Sequence, residues 1–129
     1  MEGWHLSTRE ITITAGSASI GAALNDSAIA TRVWDALPIE ASASTWGDEI
    51  YFGIPVEGTE EPDHEVVELG DLGYWPPGSA FCMFFGPTPM SRGDEIRPAS
   101  AVNIIGSMSG DLESLKSVPS GAPVIVERA

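Results

Sequence analysis

Glycine and proline cut this sequence so often, 14 and 10 times, that its longest unbroken apolar run is the six-residue AFCMFF from Ala80 to Phe85. In a helix interior a glycine costs about 1 kcal/mol against alanine and a proline about 3 kcal/mol, so most of the chain is barred from long helices. What the punctuation leaves is a series of short runs rich in β-branched and aromatic residues, the pattern of a mainly β domain. EITIT (10–14) and ASIGAAL (18–24) flank Gly16 and read as a hairpin. Only one stretch carries clear helical spacing. In NDSAIATRVWDALP, Ile29, Val33 and Leu37, with Ala30 and Trp34 beside them, form one apolar stripe; Asn25, Asp26 or Ser27 can cap it and Pro38 ends it.

Further along, STWGDEIYFGIPV reads as one long strand bent at Gly47, with Trp46, Asp48, Ile50, Phe52 and Ile54 on one face and Thr45, Glu49 and Tyr51 on the other. VVELGDLGYW is a strand whose glycines suggest bulges. Pro76-Pro77-Gly78 makes a turn, and AFCMFF is a strand apolar on both faces, which requires cover on both sides. After the loop GPTPMSRGDEIRP come a strand in ASAVNIIGSM, a two-turn helix in DLESLKSV capped by Asp111, and a closing strand in APVIVERA. About seven or eight short strands with two helices, and no linker or repeat between them, predict a single domain over residues 1–129 closed into a barrel, because closure removes exposed strand edges.

Nineteen acidic residues against six basic ones give a formal charge of −13. Such a surface repels polyanions, which excludes nucleic acid as a partner. Residues 1–10 have no basic start followed by an apolar stretch, and six apolar residues cannot cross a bilayer, so a cytoplasmic protein without membrane contact is expected. Cys82 is the single cysteine and reads as a packed apolar residue rather than a nucleophile.

Four strings, WGDEIYF (46–52), GDLGYWPPG (70–78), FFGPTP (84–89) and NIIG (103–106), resemble the motifs of the small prokaryotic cyclophilin-like family, a domain of unknown function. The resemblance runs through nearly the whole chain in the right order. It implies a closed eight-stranded β-barrel with a short helix capping each end. It does not imply an activity, since fold and function separate readily. True cyclophilins isomerise prolyl bonds with an arginine set against the imide nitrogen, upstream of a phenylalanine-methionine-x-glutamine string. This sequence has no glutamine, and no arginine between Arg32 and Arg92, which leaves only Arg92 or Arg97 to supply the donor.

Residues 74–89, YWPPGSAFCMFFGPTP, hold five of the ten aromatics and four of the ten prolines. On AFCMFF, Phe81, Met83 and Phe85 share one face, and Cys82 and Phe84 the other. One set must leave the barrel interior, and with nearby aromatics it would form a groove that binds a small molecule or a peptide. The candidate binding residues are Trp46, Tyr51, Trp75, Phe81, Met83 and Phe85. A divergent isomerase is the alternative, and a self-associating domain with an apolar dimer seam is a third. The acidic run Glu60, Glu61, Asp63, His64 and Glu65 lacks the spacing of a calcium loop, and Asp48 and Asp71 read as turn or bulge residues. No metal and no cofactor are implied.

Overall fold

ASIGAAL is buried at every second residue, as a strand with one face on a core must be. It is β2 (Ala18–Leu24) of a computed structural model that describes residues 9–129. Residues 1–8, where the absence of a signal pattern was read, lie outside that range. The hairpin partner β1 (Arg9–Ala15) pairs with β2 in antiparallel register from Arg9 opposite Leu24 to Ala15 opposite Ala18, around a Gly16 with φ of 60°. The helix follows as α1 (Ala28–Ala36), where the Ser27 hydroxyl accepts from the Ala30 amide at 3.3 Å and Asn25 Oδ1 accepts from the Ser27 amide at 3.0 Å. Its stripe of Ile29, Ala30 and Val33 is buried against the barrel.

The remaining strands are β3 (Ile39–Ser42), β4 (Ser44–Thr45), β5 (Glu49–Gly53), β6 (Asp71–Trp75), β7 (Ala80–Phe84), β8 (Asn103–Ser109) and β9 (Pro123–Arg128). All pairings are antiparallel, in the order β3-β9-β1-β2-β8-β6-β7-β5-β4. The two edge strands of this nine-stranded sheet, β3 and β4, are consecutive pieces of chain joined through the buried Ala43. One kinked pass of chain therefore closes the sheet into the expected barrel. Counted by passes, β3 and β4 are one strand and the barrel has eight.

Two expectations change in detail, and one strand was not foreseen. The strand at 39–42 lacked a legible pattern, with only Ile39 of its four residues buried. The run 44–56 is a hairpin rather than one bent strand, because Gly47 at φ 61° reverses the chain and the Trp46 amide donates to the Glu49 carbonyl at 2.9 Å. The segment Leu112–Ser117 is a 3-10 turn, and the Asp111 side chain makes no cap bond to it. The glycine irregularity in GDLGYW does occur: the β6–β8 register shifts between Leu72 and Gly73.

Packing separates two apolar clusters. The larger fills the barrel and includes Ile11, Ile13, Ile50, Phe52, Leu72, Tyr74, Phe81, Met83, Phe85, Ile105 and Val126. The smaller lies on the outer side of β7, where Ala80, Cys82 and Phe84 meet Val67, Ile96 and Val102. All five residues of β7 are buried, so the strand is covered on both faces as its composition required. The outer cover is the chain's own 86–102 loop, held by a Val67–Ile96 bridge and a His64–Val102 bridge.

Candidate functional site

On the outer face of the sheet, Tyr51 of β5 stands directly opposite Cys82 of β7, which in turn stands opposite Gly73 of β6. Two residues along β5 from Tyr51, and therefore on the same face, is Glu49; two along β6 from Gly73 is Trp75. Gly73 contributes no side chain here because Val102 and Phe84 occupy the space: a Cβ would lie 3.0 Å from Val102 Cγ2 and 3.2 Å from Phe84 Cε2. The 86–102 loop returns over this face but stops short of covering it. What stays open is a cleft of about 230 Å³ lined by Trp46, Glu49, Tyr51, Trp75, Cys82, Pro98, Ala99 and Val102.

Each wall is fixed by a specific local device. Trp46 is delivered by the β4–β5 turn, whose Gly47 lies under the loop prolines; a Cβ there would be 2.9 Å from Pro89 Cδ and 3.0 Å from the Pro87 carbonyl oxygen. The Asp48 amide donates to the Pro87 carbonyl at 2.9 Å and the Phe85 amide to the Asp48 carbonyl at 3.0 Å, so turn and loop are one unit. Trp75 precedes the Pro76–Gly78 turn, and its indole Nε1 donates to Ser100 Oγ at 2.7 Å. Within the loop, the buried Thr88 hydroxyl donates to the Arg97 carbonyl, and Ser91 Oγ accepts from the Thr88 amide at 2.9 Å and the Arg97 amide at 3.0 Å. The prolines of 74–89 thus frame the cleft from both ends.

Glu49 is the chemically unusual member. It is 5% exposed, and among the described residues its carboxyl meets no basic side chain; its polar neighbour is the Cys82 thiol. Burial disfavours its ionised form and pushes its pKa up to about 7, an effect that the Cys82 thiol partly offsets. Cys82 itself is driven well above the ordinary thiol range by burial first and by the neighbouring Glu49 second. It is therefore a neutral, packed thiol and no nucleophile.

Against the sequence expectation, the structure brings together Trp46, Tyr51 and Trp75 and separates them from Phe81, Met83 and Phe85. Those three point into the barrel, at 0%, 0% and 4% exposure, and belong to its core. The physical reason is alternation: Cys82, paired with Tyr51, takes the outer face, so its neighbours take the inner one. Neither arginine reaches the cleft lining. Arg92 is exposed, and Arg97 is clamped by Glu95, with Nε to Oε2 at 2.7 Å and a guanidinium nitrogen to Oε1 at 3.2 Å, while Glu65 stands 4.0 Å away.

A family comparison matches residues 9–127 to the Cyclophilin-like family. The chain belongs to the cyclophilin-like family. A similar solved structure is that of the hypothetical protein AF2241 from Archaeoglobus fulgidus, determined in solution. It is 45% identical, with a TM-score of 0.82, over 95% of this chain and 96% of that one. No curated protein matches the chain significantly. The cyclophilin-like barrel also carries a second, polar depression of about 610 Å³ near Glu60, Asp63, His64, Glu68 and Asp71. There the Arg32 guanidinium engages Glu60 at 2.9 Å, His64 Nδ1 contacts Asp63 at 2.7 Å, and Asp71 accepts from the Glu68 amide at 2.8 Å. Among the described residues no group of three or more histidines, cysteines or carboxylates is arranged to hold a metal. No helix among them is long and apolar enough to cross a membrane.

Proposed function

We propose that this cyclophilin-like domain binds a small molecule or a single side chain of a peptide in the cleft between Trp46, Tyr51 and Trp75, with Glu49 as its polar anchor. The observation that carries the reading is the carboxyl of Glu49, a residue only 5% exposed, which has no basic partner among the described residues and lines an otherwise apolar cleft. A buried polar group of this kind costs free energy unless something satisfies it, and such groups concentrate where ligands bind. At about 230 Å³ the cleft is below the roughly 300–1,000 Å³ of drug-sized sites, so it suits a fragment or one side chain. The isomerase alternative asks for a guanidinium at the cleft, and Arg92 and Arg97 do not line it.

A panel of neutral, cationic and anionic fragments and short capped peptides, screened by backbone and indole NMR shifts, tests the reading. Perturbations should cluster at Trp46, Glu49, Tyr51, Trp75 and Val102. Trp75→Ala should weaken any hit at least ten-fold, as expected when one aromatic wall worth about 1.5 kcal/mol or more is removed. Its effect on stability should stay within about 1 kcal/mol, because Trp75 is only half-buried. Shifts scattered away from the cleft, or hits indifferent to Trp75→Ala, would refute the proposal.

A further inference from the structure

We infer that the occupant of this cleft carries a compact organic cation, an ammonium head group that sits among the three aromatic rings and pairs with Glu49. The inference rests on the binding reading above and adds the chemistry of the ligand. Two tryptophans and a tyrosine line one small cleft, and the electron-rich faces of such rings attract ammonium groups. Among the described residues the lining contributes one carboxyl, Glu49, and no basic side chain, so the charge it can bear is negative. The other polar lining side chains are Tyr51 on β5 and Cys82 on β7, whose thiol burial keeps neutral; the loop contributes Pro98, Ala99 and Val102, none of them charged. The basic group adjoining the cleft, Arg97, is already held by Glu95. A formal charge of −13 further raises the local concentration of cations and lowers that of anions.

Alternatives fit less well. An anion would face Glu49 and the whole acidic surface with no basic side chain in the described lining to balance its charge. A neutral apolar ligand would leave the carboxyl unsatisfied. A cation satisfies the carboxyl and the rings together. Its binding must also favour the ionised form of Glu49, which gives the inference a pH signature.

The probes are choline and its uncharged carbon isostere 3,3-dimethylbutan-1-ol, titrated into the full chain with tryptophan fluorescence and indole NMR shifts as readouts. Choline should bind at least ten-fold more tightly than the isostere at pH 8. With Glu49 titrating near 7, the competent fraction falls so that choline affinity should drop about thirty-fold at pH 5.5. Glu49→Gln should erase both the preference and the pH dependence while leaving isostere binding in place. A capped trimethyllysine amide forms the second arm: tighter binding than choline assigns a peptide side chain as the source, weaker binding a free amine, and both support the cation. Equal or tighter binding of the isostere in the cleft overturns the cation and leaves the binding reading intact. Failure of every probe and of the whole fragment panel overturns both.

Discussion

Glu49→Gln is expected to stabilise the protein by roughly 3 kcal/mol at pH 8 and by no more than about 0.4 kcal/mol at pH 4.5 and below. The carboxyl releases its proton near 4.5 in the unfolded chain and near 7 in the folded one. Between those values the unfolded state holds fewer protons, so stability falls as pH rises through that window and stays lowered above it. At about 1.4 kcal/mol per pH unit, the shift corresponds to the stated figure. Glutamine keeps the shape and has no proton to lose, so the variant does not incur this penalty. The other carboxylates are common to both proteins and cancel in the difference. Urea unfolding of the two at pH 4.5 and pH 8 measures it, and an identical difference at both pH values would show that Glu49 is not buried as described. The same penalty is what a bound cation would relieve.

The second large effect lies inside the barrel. Phe81→Ala should cost about 3–5 kcal/mol, the range for deleting a fully buried phenylalanine with partial collapse of the cavity. Phe81 is 0% exposed and stacks on Phe52 with centroids 5.1 Å apart and planes at 17°. Such a pair adds about 0.5–1.5 kcal/mol beyond its buried area. The contrast with Trp75→Ala is diagnostic. Phe81→Ala should lower the unfolding midpoint and leave the affinity of the surviving folded fraction within a few-fold, whereas Trp75→Ala should do the reverse. A Phe81 variant that kept its stability and lost ligand binding would put this ring in the cleft and not in the core.

The strands were legible wherever one face is buried and the other wet, as in ASIGAAL, since period-two burial then leaves its mark on the residues. AFCMFF gave no such mark. Covered on both sides, it is apolar at every position, so the pattern could not distinguish the Phe81–Met83–Phe85 face from the Cys82–Phe84 face. The assignment depends on pairing: Tyr51 opposite Cys82 decides it, and pairing between strands distant in sequence is a tertiary fact. Trp46 was placed on the wrong side for a local reason. Reading through Gly47 as a bend preserves the alternation of the run, and reversing the chain there brings Trp46 round to Glu49 and Tyr51. Glu49 falls on the Tyr51 face of the strand in the sequence pattern, but nothing in its neighbours marks its carboxyl as buried. A signal was present: it sits two residues before Tyr51, so once Tyr51 was taken as a cleft residue the strand period put a carboxylate beside it. Nothing in the spacing could reveal that Arg97 is occupied by Glu95 and stays out of the cleft lining.

The kink at Ala43 joins matters that would otherwise be independent. Its amide donates to the Ala122 carbonyl at 2.8 Å and its carbonyl accepts from the Gly121 amide at 2.7 Å. On one side of that residue lies β3, paired to β9; on the other lies β4, whose turn presents Trp46. The seam of the barrel and one wall of the cleft are therefore moored at the same point. Local opening of the seam would swing Trp46 away, so an occupant gripping that ring must slow the opening. The Ala43 amide, remote from the ligand and never touching it, should exchange its hydrogen more slowly when the cleft is filled. An exchange rate indifferent to saturating ligand would mean that the seam and the Trp46 wall move independently.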